Sequence, residues 1–383
     1  MEEQFAIFRE RVLEAIERQG IGHQPADPQG YKAWARGVHA EARSYLIERN
    51  RRWLERNKHI IKSWIADGSE LELSSIRPQL ITAESGEPAT VFRWLRLMHW
   101  SLPYSKGYGR RLRYLIVDGQ NGKVIGLLGL QSPPIDLKPR DRFLSVPSHR
   151  KLDVINHSLD IYVLGAIPPY QNLMGGKLVA LLSVSEDIQQ AYRDKYTGRL
   201  SELAGRPLPD HLTFLTTMSA FGRSSIYNRL TFERRPVAQS LGLTSGSGTF
   251  HFPQDLYDLA RELLNIRGID TRTGPRTGSR RKLQIMTRAL EAVGLKHLRY
   301  HGVLREVFIL PLCTNLLSWA REEEAPRLLT PSVHDLSKWW FTRWANVRAG
   351  KDDSWKAFCA SEWVDQTLAS VRLDYVKSRG SGG

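Results

Sequence analysis

The segment that most limits the folds open to this chain is Arg113-Tyr114-Leu115-Ile116-Val117-Asp118, then Gly119-Gln120-Asn121-Gly122, then Lys123-Val124-Ile125-Gly126-Leu127-Leu128-Gly129-Leu130. Two apolar, β-rich runs flank a turn containing Asn-Gly, which predicts a β-hairpin. A third apolar run, 159–167, stops at Pro168-Pro169. Behind it, Leu178, Leu181, Leu182, Val184 and Ile188 give 173–192 a helical pattern. Residues 211–218 predict a further strand, and 224–230 a short helix. Strands mixed with helices in this way predict an α+β fold around a mixed sheet.

The flanks have a different texture. Phe5, Phe8, Val12 and Ile16 predict a helix over 4–19, and Tyr31 to Ala66 carries apolar positions for one or two more. Residues 131–150 hold four Pro and predict a loop. Helices are expected at 254–267 and 282–293, a short strand at 306–310, and helix again from about residue 312, where most of the tryptophans lie. With 383 residues and about 150 residues per domain, the expected division is an N-terminal helical region 1–70, an α/β core 71–238, and a basic, Trp-rich, mainly helical region 239–383.

Charge narrows the function. Lys plus Arg is 55 against 40 Asp plus Glu, a net +15, and only 15 of the 55 are Lys. Arg grips phosphate through a planar fork and stacks on bases. A basic, Arg-rich chain with 11 Trp therefore points to nucleic acid. The strongest local concentration is 271–282, where Arg272, Arg276, Arg280, Arg281 and Lys282 stand among Thr and Gly with no acid. Arg110, Arg111 and Arg113 form a second group, and Arg49 to Lys62 a third that also reads as a solvated helix face. The tryptophans equally suit helical core packing.

Other chemistries find little support. Only Cys313 and Cys359 are present, which excludes a disulfide framework or a four-Cys zinc site. No Cys-x-x-Cys spacing suggests a metal, although His149, His157, His211, His251 and His301 could meet in the fold. There is no Gly-x-x-x-x-Gly-Lys-Ser/Thr loop for a nucleotide triphosphate. No apolar run reaches membrane-spanning length, and the acidic start Met1-Glu2-Glu3-Gln4 is unlike a signal peptide. A cytoplasmic setting is expected.

Strand 159–167, the break at Pro168-Pro169 and the loop Tyr170-Gln171-Asn172-Leu173-Met174-Gly175-Gly176 lead into a helix. Small residues at a helix N-terminus expose N–H groups and favour phosphate. This element resembles the acyl-coenzyme A-binding element of the GNAT superfamily of N-acyltransferases. The resemblance implies a pyrophosphate cradle at Gln171, Gly175 and Gly176, and a general-acid role for Tyr227. Met174 departs from it by standing where the middle Gly is expected. Without the resemblance, Tyr227 reads as a core residue between helix and sheet. Asp160 and Glu186 are carboxylates near the element, and neither is assigned as a base.

A longer resemblance follows several segments in order: the hairpin 113–130, Pro139-Arg140-Asp141-Arg142, strand 159–167, Phe221-Gly222-Arg223-Ser224-Ser225-Ile226-Tyr227-Asn228-Arg229, the run 301–312, and Trp339-Trp340-Phe341-Thr342-Arg343-Trp344. Over roughly 90–350 the chain is similar to the DruA family of Druantia anti-phage systems. That implies a bacterial defence component with other subunits as partners, and no established reaction. The expected function is nucleic-acid binding, DNA or RNA, within such a system. An N-acyltransferase using acyl-coenzyme A is the alternative, and a nuclease ranks third because no compact acidic cluster marks a metal site. The residues name no cofactor.

Overall fold

A computed structural model describes residues 2–98, 100, 109–202, 204–220, 222, 224–271 and 279–369. Its centre is a seven-stranded mixed sheet in the order β1-β2-β3-β4-β5-β9-β8. The strands are β1 (Pro78–Thr82), β2 (Arg111–Asp118), β3 (Val124–Gln131), β4 (Ser158–Ala166), β5 (Phe214–Met218), β8 (Gln239–Leu243) and β9 (Glu306–Pro311). The expected hairpin is β2–β3, with Leu115 opposite Leu127. Asp118 fixes its turn and its neighbour together: one carboxylate oxygen accepts from the backbone N–H groups of Gln120 at 3.0 Å and Arg77 at 2.9 Å. Gly122 takes φ 74°, a left-handed position suited to glycine. All sheet pairings are antiparallel except β4 with β5.

Helices cover both faces. Helix α1 (Glu2–Arg18) precedes α2 (Pro28–Trp64), whose start is fixed by Pro28 in the first turn and by the Asp27 side chain, which accepts from Gly30 N at 2.7 Å. The C-terminal part of α2 (Leu54, Ile61) and α3 (Gly86–Met98; Val91, Phe92, Leu95) bury Leu115, Val117 and Leu127 on one face. Short helices α4 (Lys138–Leu144) and α5 (Lys151–Asn156) lead into β4 on that side. The other face takes α6 (Gly175–Leu182) and α7 (Glu186–Tyr196), with Leu178, Leu181 and Ile188 against Leu128, Leu159 and Ile161. The 173–192 pattern thus breaks in two, at Ser183-Val184-Ser185. Serine competes for backbone hydrogen bonds and suits a helix start, and Ser185 is the residue before α7.

A two-stranded ribbon, β6 (Thr231–Phe232) and β7 (Arg235–Pro236), stands outside the sheet. The expected helix over 224–230 is a set of turns leading into it. Between β8 and β9 the chain makes an excursion through α8 (Gln254–Ile266) and α9 (Ser279–Ala292). These pack with α1 and the start of α2 as a separate helical lobe, around Phe8, Val12, Val38, Leu256, Leu263 and Met286. The sheet therefore draws strands from both sides of position 238/239. After β9 come α10 (Leu316–Ala320), α11 (Val333–Trp340), a π-helical turn Phe341–Ala345, and α12 (Asn346–Ala349). Trp340 is buried among the α6-side core residues and Trp319 among those of α4 and α10, so much of the Trp-rich end is packing.

Candidate functional site at the diverging central strands

Parallel strands β4 and β5 are registered only from Ser158 opposite Phe214 to Ile161 opposite Thr217, while β4 runs on to Ala166. Ligands of α/β sheets favour crevices at the carboxyl ends of such strands. Asp160 lies in this registered stretch, near the amino end of β4 and away from that opening, and is almost wholly buried. Its carboxylate accepts from Thr216 Oγ1 at 2.8 Å and from Gln131 Nε2 at 3.3 Å. Two neutral donors compensate poorly for lost water, so burial pushes this carboxyl up to about 6 despite those bonds and the nearby Arg140 guanidinium. Arg140 itself is held by the carbonyls of Pro134 at 2.7 Å and Ile135 at 2.8 Å and by Asp141. A carboxyl of this kind exchanges its proton close to neutrality and so suits proton transfer.

The sheet's opposite face carries the glycine loop. Met174 takes φ 62°, and its carbonyl accepts from Trp340 Nε1 at 3.1 Å. A Cβ on Gly175 would stand 2.7 Å from Tyr170 O, and one on Gly176 3.3 Å from Ile226 Cδ1. Both glycines are thus explained by packing within the chain. Gln171 is at the surface in the turn before α6. Lys177 is buried just inside α6; its Nζ donates to the carbonyls of Ile226 and Asn228, each at 3.0 Å, and lies 5.3 Å from the Trp344 ring. Burial pushes this ammonium down to about 8. Tyr227 is buried against Phe308, with its hydroxyl 3.2 Å from Thr217 Oγ1, and burial pushes it up to about 12.

The arginine groups separate. Arg110 is buried: its guanidinium donates to the carbonyls of Asn156 at 2.6 Å, Ser158 at 2.9 Å and Ile155 at 3.3 Å, and to Tyr192 Oη at 2.9 Å. This geometry clamps the α5–β4 junction and leaves no face for phosphate. Replacing Arg110 with Met is expected to lower stability by about 3 kcal/mol, because several buried acceptors lose a charged donor. Urea unfolding checks the loss, and nucleic-acid binding of the folded fraction should be unchanged. Arg113 lines a groove of about 270 Å³ with Lys195, Glu84 and Asp194, so that two cations there face two carboxylates. Arg111 stands half-exposed on β2. Arg281 donates to the Thr271 carbonyl, and Lys282 Nζ to Phe252 O at 3.0 Å, so these two close the base of the 271–282 segment. Arg280 lies in the first turn of α9, whereas Arg272 and Arg276 lie outside the described residues.

Two histidine pairs form from distant segments. The tilted rings of His157 and His211 lie 4.9 Å apart, and His251 and His301 meet edge-on at 5.2 Å, while His149 faces Glu322 at 3.5 Å. His39 joins the second pair, with Nε2 3.2 Å from Arg305 Nη2 and Phe250 between the rings. Burial, then the Arg305 charge, pushes His39 down to about 2 and His301 to about 4; burial, then His301, pushes His251 to about 3. Nothing in the spacing of His39 or Arg305 marked them, since α2 and the approach to β9 bring them together. Among the described residues no three His, Cys, Asp or Glu gather to hold a metal ion, and no helix is long and apolar enough to cross a membrane.

The family described as "Druantia protein DruA" matches residues 29–322, which span β1 to β9, the buried Asp160, the ribbon and most of the helical lobe. The chain belongs to the DruA family. It is 32% identical over 372 residues to Druantia protein DruA of Escherichia coli (strain UMEA 4076-1), covering 94% of this chain and 91% of that relative. No solved structure matches it. Within this DruA-family chain, the match takes in Asp160, Lys177, Tyr227 and Arg110, and ends before α11 and its tryptophans.

Proposed function

We propose that this DruA-family chain is a nucleic-acid-binding component of a Druantia anti-phage defence system, acting in the cytoplasm with other subunits of that system. The observation that carries the reading is the charge: a net +15, with five cations and no acid between Thr271 and Lys282. Phosphate contacts through Arg and Lys supply most non-specific affinity for nucleic acid. Arg281 and Lys282 are engaged by backbone carbonyls, so Arg272, Arg276 and Arg280 are the proposed phosphate ligands of this segment. Fluorescence anisotropy with labelled duplex DNA, single-stranded DNA and RNA, at about 50 and 200 mM salt, tests it. Binding is expected to weaken steeply with salt, and to weaken at least about tenfold in Arg272→Ala/Arg276→Ala/Arg280→Ala. Equal binding by that variant removes the segment from the interface, and no binding at the lower salt removes the reading.

A GNAT-like acyl transfer is the second reading. The strand order and the parallel, diverging β4 and β5 support it, and Asp160 supplies a proton acceptor. Against it stand the Met174 carbonyl held by Trp340 and the Ile226 side chain over Gly176, which fill the place a pyrophosphate would need. Absence of coenzyme A binding at millimolar ligand would end it.

A further inference from the structure

The ribbon β6–β7 is a small element with unusual chemistry. Thr231 pairs with Pro236 and Phe232 with Arg235, leaving Glu233-Arg234 as a two-residue turn. Such a turn needs two left-handed residues and normally uses Asn-Gly. Here Glu233 takes φ 48° and Arg234 φ 65°, and Arg229, at the ribbon's root, takes φ 58°. Side chains larger than that of Asn are uncommon in this region. The turn thus presents a long charged side chain where glycine would be easier to fold.

The ribbon is firmly rooted. Leu230 is buried and its carbonyl accepts from Val237 N at 2.9 Å. Phe232 meets Trp339 edge-on at 6.0 Å. Lys177 binds the carbonyls of Ile226 and Asn228 immediately before Arg229, under the Trp344 ring. Three exposed arginines, Arg229, Arg234 and Arg235, therefore project from a fixed base, with Arg343 exposed on the adjoining π-helical turn. Glu233 is the one acid in the ribbon. The aromatic side chains at the root are turned inward, on each other and on Lys177, so the tip offers charge and no stacking platform.

We infer that the Arg229–Arg235 ribbon docks on duplex DNA, its arginines contacting phosphates along a groove. This rests on the nucleic-acid reading above and adds a second contact surface, remote in sequence from 271–282. A two-stranded ribbon fits the major groove of a duplex, whereas single strands are held chiefly by exposed aromatic platforms, which this tip lacks.

The test titrates a short labelled duplex and its single strand over a range of salt. It compares the unaltered chain, Arg229→Ala/Arg234→Ala/Arg235→Ala, and Glu233→Asn/Arg234→Gly. The last variant installs the residues a two-residue turn prefers, so the ribbon folds at least as well while losing an arginine. Expected results are a fall of about 3 in the salt slope for the triple variant, near 0.9 for each lost phosphate contact, and of about 1 for the turn variant. Glu233→Gln should tighten binding. Unaltered slopes in both arginine variants, with the parent still binding duplex, would overturn the ribbon assignment and leave the nucleic-acid reading standing. A single strand preferred over duplex, and lost in the triple variant, would overturn the duplex assignment. No binding by the parent to either form would remove the underlying reading itself.

Discussion

Between pH 7.5 and pH 5 the protein is expected to lose several kcal/mol of stability. His39, His251 and His301 are buried and held at about 2, 3 and 4 in the folded chain, against 6.5 when exposed. Above pH 6.5 both states are neutral and nothing is lost. As pH falls below 6.5 the unfolded chain binds protons that the folded chain refuses, and the loss continues until the folded values are reached. At pH 5 this amounts to about 2 kcal/mol for each histidine, or roughly 6 for the three. Asp160 acts in the opposite sense. Its folded value of about 6 lies above the ordinary 3.8, so the folded state gains a proton first and recovers about 1 kcal/mol at pH 5. His157, also lowered by burial, adds to the loss. Urea denaturation at the two pH values measures the sum. His251→Gln keeps a donor for Leu298 O and should remove about a third of the histidine contribution. A flat profile in the unaltered protein would mean that these imidazoles are hydrated.

Asp160→Asn should have the next largest effect, and in the stabilising direction. Burial raises this carboxyl about two units above its ordinary 3.8, so keeping it ionised at pH 7.5 destabilises the fold by up to about 3 kcal/mol. Asparagine keeps an acceptor for Gln131 and a partner for Thr216 while removing the charge. A gain in urea stability that shrinks as pH falls through about 6 and vanishes only below the ordinary 3.8 is the expected signature. If proton transfer by Asp160 serves the protein, the same variant loses protection of cells against phage while still binding nucleic acid. Protection equal to the parent's would assign Asp160 a purely structural place.

The parts of the fold legible in sequence were those fixed by local chemistry. The Asn-Gly turn between two β-rich runs specified β2–β3, and Pro168-Pro169 marked the end of β4. Strand β1 escaped because Pro78-Gln79-Leu80-Ile81-Thr82 is short and carries a leading proline, and its partner β2 lies beyond α3. Strand β8 escaped because Gln239-Ser240-Leu241-Gly242-Leu243 is an exposed edge whose order comes from β9, more than sixty residues on. The same limit applies to the site. Arg110 sits in a run of basic residues that resembles a surface patch, yet four acceptors from α5, β4 and α7 meet it in the interior. Asp160 is one of many carboxylates until Thr216, Gln131 and Arg140 close over it. Long-range packing decides such cases, and a single sequence does not display it.

Helix α2 has a mechanical consequence. Its 37 residues form one uninterrupted rod, about 55 Å long. Ala35 and Val38 near one end are embedded in the helical lobe; Leu54 and Ile61 near the other lie under the sheet. Trp94 Nε1 donates to the Leu54 carbonyl at 3.1 Å, giving the rod a fixed bearing on α3. A tilt of about 5° about that bearing carries the far end through a few ångströms, since a rod of this length converts small angles into long strokes. Force applied where α8 and α9 meet α1 would therefore arrive at the sheet as torque, with Leu54 and Trp94 as the fulcrum.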